Sequence, residues 1–94
     1  MKTKYFTPRP EMLEKHTHYF DFEKMDFIPI ENIPDKIQYF DPEELARCGI
    51  LGGLTICIRA RAERIYGKYC VITYDGQFGH LCVYVRPETK DNNE

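Results

Sequence analysis

From Leu54 onward, ten residues keep one beat: Leu54, Ile56, Ile58, Ala60 and Ala62 alternate with Thr55, Cys57, Arg59, Arg61 and Glu63. Successive side chains of a strand point to opposite faces, so this period predicts a strand, Leu54 to Arg64, with one apolar and one polar face. Ile65-Tyr66-Gly67 then reads as a three-residue hairpin loop, with Gly67 in the left-handed position such loops require. A second strand, Lys68 to Tyr74, would return with Cys70 opposite Ala62 and Ile72 opposite Ala60. The segment "DGQFGH" reads either as a tight Asp75-Gly76 turn or as a longer loop, and a third strand, Leu81 to Arg86, follows it. The two registers differ by an even shift, so the faces survive either choice; a one-residue slip would exchange every side chain.

This parity places Arg59, Arg61, Tyr69, Val71, Thr73, Cys82, Tyr84 and Arg86 on one face, away from the main core. The face is basic and aromatic, and three uses fit it. Solvent or the acidic N-terminal segment could cover it, because antiparallel sheets often keep one wetted face. A protein partner could cover it, because Tyr and Arg are enriched at interfaces. Single-stranded nucleic acid could stack on Tyr69 and Tyr84 while Arg59, Arg61 and Arg86 follow the phosphates. Against the last use, the aromatic signature of RNA-recognition sheets is missing and the net charge is -2.

The first half is broken by prolines. "TPRPEMLEKH" offers Thr7 as an N-cap and Pro8 at the first helical position, for a short helix to Lys15. "HYFDFE" alternates as a half-buried strand does. Pro29 and Pro34 then enforce irregular or edge structure. "FDPEELARCG" is a two-turn helix with Asp41 as cap, Pro42 first, Glu43 and Glu44 against the macrodipole and Gly49 as the stop. In "GILGGL" the glycines follow a helix and precede the expected strand, so they read as a turn and not as a phosphate loop.

Charge divides the chain. Residues 1–46 carry a net -4, 47–86 a net +4 and 87–94 a net -2. The asymmetry suits halves that attract each other, within a chain or across a dimer, and also a nucleic-acid surface in one half. Cys48, Cys57, Cys70 and Cys82 form no Cys-x-x-Cys pair, so they read as reduced thiols that fill space. His16 and His18 stand at alternate positions; further metal ligands would have to come from His80, Asp21, Glu23 or a cysteine, and nothing in the spacing requires them. The absence of serine removes serine nucleophiles. His80 with Cys82 is the one pair available for thiol chemistry.

The expectation is a single α+β domain over 1–94. Residues 1–53 form short helices and extended segments, 54–86 an antiparallel meander, and 87–94 a flexible acidic tail. One or two N-terminal strands and two short helices complete it, and a small, partly closed barrel is an admissible variant. The expected function is a non-catalytic, cytoplasmic binding module without cofactor or metal. It would meet a protein partner or a second copy of itself through an edge strand or the Tyr/Arg face, with single-strand nucleic-acid binding as the alternative. No apolar run is long enough for a membrane span, and the N-terminus lacks the apolar stretch of a secretory signal.

Overall fold

The structure is a computed structural model that describes residues 4–88. Most of the tail expected over 87–94 therefore lies outside the described residues. The elements are β1 (Lys4–Phe6), α1 (Pro10–Lys15), β2 (His18–Asp21), β3 (Asp26–Pro29), a 3-10 turn (Ile30–Asn32), β4 (Ile37–Tyr39), α2 (Pro42–Arg47), α3 (Leu51–Tyr66), β5 (Val71–Gln77) and β6 (His80–Arg86). The class is α+β with antiparallel pairing throughout, as the sequence predicts. A four-stranded sheet has the order β3-β2-β6-β5, and β1 pairs with β4 in a separate two-stranded ribbon. Neither closes, so the barrel variant does not form. No helix among the described residues is long and apolar enough to cross a membrane.

One expectation fails. Leu54 to Arg64 is not a strand; it lies inside the 16-residue helix α3. The physical reason is that Leu54, Ile58 and Ala62 recur every four residues, a spacing that satisfies the strand period and the helix period alike. The alternation therefore did not discriminate. Ala60, Ala62, Arg59, Arg61, Glu63 and Arg64 are good helix formers, and they tip the segment. Ile58 and Ala62 are fully buried, whereas Ile56, which a strand would bury beside them, is 72% exposed. Gly67 ends the helix at φ 82°, and its N–H bonds the Glu63 carbonyl at 2.8 Å. The glycine is needed, as foreseen, but for a helix terminus and not a hairpin. Gly52 and Gly53 occupy the first turn of α3, not a turn before a strand.

Other elements agree more closely. Asp41 caps α2, accepting from the backbone N–H of Glu43 at 3.0 Å and of Glu44 at 3.3 Å, and Gly49 follows at φ 76°. The N-terminal helix starts at Pro10, not Pro8, and Arg9, not Thr7, occupies its N-cap. Pro29 closes β3 at the sheet edge, where its missing donor costs nothing. The second meander strand starts at Val71, not Lys68, and continues through Asp75 and Gly76 to Gln77. Its turn is Phe78-Gly79, with φ 52° and 80°, the two left-handed residues of a tight I′ hairpin.

The four-stranded sheet is buried on both sides. On one, Val83 and Val85 meet Phe20 and Phe27 of β2 and β3, Phe40 just after β4, and Leu45, Ile58 and Ala62 of the helices. On the other, Cys82 and Tyr84 meet Tyr19, Ile37 and Tyr39, flanked by Phe6, Met12 and Leu13. Segments within residues 4–39 form this second layer. Phe40 and Leu81 exchange backbone bonds of 2.9 and 2.8 Å, tying β4 to β6.

Urea unfolding separates helix from strand in this segment. Ile58→Ala is expected to cost about 2–5 kcal/mol, while Ile56→Ala changes stability by no more than about 0.5 kcal/mol. Equal losses at both sites would restore the strand.

Candidate functional site

The expected Tyr/Arg face exists only in part. Val71 pairs with Arg86 and Thr73 with Tyr84, so these four do share one face of the sheet. Arg59 and Arg61 do not join them, because they belong to α3, which packs on the opposite face. Tyr69 lies in the loop before β5 and is 67% exposed. Tyr84 has no exposed surface at all. The N-terminal layer covers it, so the centre of the face is interior.

The buried centre of that face is built around polar groups that bond to one another, while Val71, Thr73 and Arg86 stay partly exposed. The His16 ring stacks on Tyr84 with centroids 5.3 Å apart. Its Nδ1 lies 2.8 Å from the Met12 carbonyl, which can only accept, so Nδ1 carries the proton. In the neutral ring, Nε2 then accepts from the Thr73 hydroxyl at 2.8 Å. Asp75 is buried and holds Arg9 through two bonds, from Nε at 3.2 Å and from the terminal nitrogen. Gln77 Nε2 donates to the Thr7 carbonyl at 2.9 Å and to the Tyr39 hydroxyl at 2.8 Å. Burial pushes the Tyr39 and Tyr84 phenols well above their ordinary range. The Tyr84 hydroxyl has no hydrogen-bond partner of ordinary geometry, although the Cys82 thiol lies near enough to influence its ionisation.

These surroundings decide the catalytic candidates. Cys82 is fully buried, and desolvation lifts its thiol to about 11, so it is protonated at neutral pH. Its neighbour two residues earlier, His80, turns Nδ1 to the Phe78 carbonyl at 3.0 Å. The pair does not make an activated thiolate. His16 and His18 diverge: His18 meets Tyr66 of α3 edge-on, on the side of the sheet away from Tyr84. Among the described residues no three metal-ligating side chains come together.

The concave feature lies elsewhere. A cleft of about 490 Å³ opens between α2, the start of α3 and the β2–β3 turn. Phe22, Met25, Phe40, Leu45, Ile50, Leu54 and Cys57 line it, and Gln38 and Asp41 supply its polar edge. Met25 is 38% and Ile50 49% exposed at the rim. Gly53 at the mouth leaves the first turn of α3 bare, with no atom near the place a Cβ would occupy. From there Gly53, Ile56, Ala60 and Arg64 follow one another along the outer face of the helix at helical spacing. Sequence reasoning missed this site, because "GILGGL" signals a bared helical turn only once a helix has been recognised.

The chain matches no protein-family model, no curated protein and no solved structure.

The buried thiol sets two expectations. A thiol reagent at pH 8 should modify exposed Cys48 at once and Cys82 only as the protein unfolds; rapid native reaction at Cys82 would contradict the packing. The Cys82 thiol, normally near 9.0, is held at about 11, so its contribution to stability is complete below pH ~9. As pH rises from ~9 to ~11 the unfolded chain loses this proton first, and stability falls by at most about 1.4 kcal/mol per pH unit. Denaturant titrations of Cys82→Ala should lack that part of the slope, leaving the steeper fall that Tyr39 and Tyr84 add above pH ~10.

Proposed function

We propose that this chain is a non-catalytic binding module whose cleft receives an apolar side chain presented by a protein partner. The observation that carries the reading is the open apolar cleft rimmed by exposed Met25 and Ile50. Its volume falls in the range of roughly 300–1,000 Å³ typical of ligand sites. Interfaces concentrate their energy where one large side chain fills such a pocket. Met25 suits an anchor of variable shape, since its thioether adapts. A partner segment leaving the cleft would run over Gly53, Ile56 and Ala60 towards Arg64, which favours acidic residues beside the anchor. The four cysteines are unpaired thiols, which supports a reducing, cytoplasmic setting.

Nucleic-acid binding draws less support. Tyr84 is sealed and cannot stack a base, and Arg59 and Arg61 are on the far side of the sheet from Arg86. An oligonucleotide titration over several salt concentrations tests that alternative, because phosphate contacts weaken steeply as salt rises.

Selection of a random peptide library on the immobilised chain tests the proposal. Peptides with an aromatic or aliphatic anchor should be enriched, and Met25→Glu and Ile50→Glu should each weaken their binding at least ~10-fold. Both residues are on the surface, so urea unfolding should show little loss of stability. Enriched peptides indifferent to both substitutions would refute the cleft as the site.

A further inference from the structure

Strand β5 is seven residues long and stands at the end of the sheet, with β6 as its one partner among the described strands. The tight Phe78-Gly79 turn makes Gln77 and His80 a hydrogen-bonded pair. Alternation then makes Asp75–Cys82, Thr73–Tyr84 and Val71–Arg86 the other pairs that exchange bonds with β6. The N–H and C=O groups of Ile72, Tyr74 and Gly76 consequently point away from the sheet. Among the described residues, no backbone bond from another element reaches them. This edge also lacks the usual defences: it has no proline, no lysine and no bulge. The charge that might protect it, Asp75, is turned inward and already held by Arg9.

We propose that β5 pairs antiparallel with β5 of a second copy, about a two-fold axis at Tyr74, joining two four-stranded sheets into one of eight. This goes beyond the cleft reading and uses the opposite edge of the sheet, since the cleft lies by the β2–β3 turn. The self-complementary register follows from the outward groups. Tyr74 bonds its own symmetry mate, and Ile72 pairs with Gly76 of the other copy, where the glycine leaves room for the larger side chain. Thr73 then faces Asp75, so no like charges meet along the strand. The same axis brings Phe78 of each copy to the segment holding Tyr69 and Cys70 of the other. Phe78 is 83% and Tyr74 40% exposed in the single chain. One operation therefore covers three of its most exposed aromatic rings and satisfies the open backbone groups, which is why a second copy suits the edge better than an unrelated strand. Arg59, paired with Glu63 at 4.0 Å, stands near Tyr74 on the helix side and can lie against the added ring.

Sedimentation equilibrium of the full chain should show a monomer–dimer equilibrium with a Kd no weaker than about 1 mM. Tyr74→Lys should weaken it at least ~10-fold by placing two ammonium groups at the axis, while Tyr74→Phe should leave it unchanged. In a Cys48→Ala background, Tyr74→Cys should oxidise to a covalent dimer linked at position 74, because paired strand positions lie within disulfide reach. Ile56→Cys in the same background, more exposed but on α3, should not. A chain that stays monomeric, a dimer indifferent to Tyr74→Lys, or cross-linking equal at both positions would overturn the assignment. Ile50→Glu should leave the dimer intact, so failure of the cleft proposal and failure of this one give different results.

Discussion

Burial of β6 on both faces is the constraint on which the rest of the structure depends. Its residues alternate between two cores, with Val83 and Val85 in one and Cys82 and Tyr84 in the other, and all four have no exposed surface. A strand in that position needs a layer on each side. Helix α3 with α2 supplies one. The other comes from the proline-interrupted residues 4–40, which lay α1 and the two-stranded β1–β4 ribbon across a ready-made surface. The two layers explain how a chain of 94 residues obtains enough buried area despite its size.

The second core is polar for a structural reason. A face carrying Thr73, Asp75, Gln77 and Tyr84 can be buried only if each group finds a partner. His16, Arg9, Thr7 and Tyr39 supply most of them. The charge asymmetry along the chain led to the expectation that an acidic first half and a basic second half attract each other. An ion pair that joins them runs the other way, from basic Arg9 of the acidic half to acidic Asp75 of the basic half. Placement in the fold, not the running sum of charge, decides which groups meet. The residual basic groups Arg59 and Arg64 remain on the outer surface of α3, beside the apolar path that leads from the cleft.

Both proposed interaction surfaces lie where this layering stops. Helices α2 and α3 cover the centre of the sheet and leave a gap near the β2–β3 turn, which is the cleft. At the other edge, among the described residues, no strand pairs beyond β5, so its outward backbone is left open. The two features have separate origins, one in side-chain packing and one in backbone pairing, and they can serve separate partners. The phenol and guanidinium face inferred from strand parity does not exist as one surface, because Val71, Thr73, Cys82, Tyr84 and Arg86 lie on the sheet, Arg59 and Arg61 on α3, and Tyr69 in the loop before β5.

The sequence alone determined those features that act over a few residues. Asp41 and Pro42 start α2, Gly49 stops it, Gly67 ends an element, and the Leu81–Arg86 alternation makes a strand, because capping, left-handed φ and strong periodicity are local properties. The α+β class followed from the same cues. Only the tertiary structure decided whether Leu54, Ile58 and Ala62 lie along a strand or a helix, since four-residue spacing satisfies both. It also decided that α1 and the β1–β4 ribbon shut over Tyr84 and that a cleft opens beside Ile50. Those outcomes depend on which surfaces are left to bury once β2, β5 and β6 have paired, and no short stretch of the chain records that.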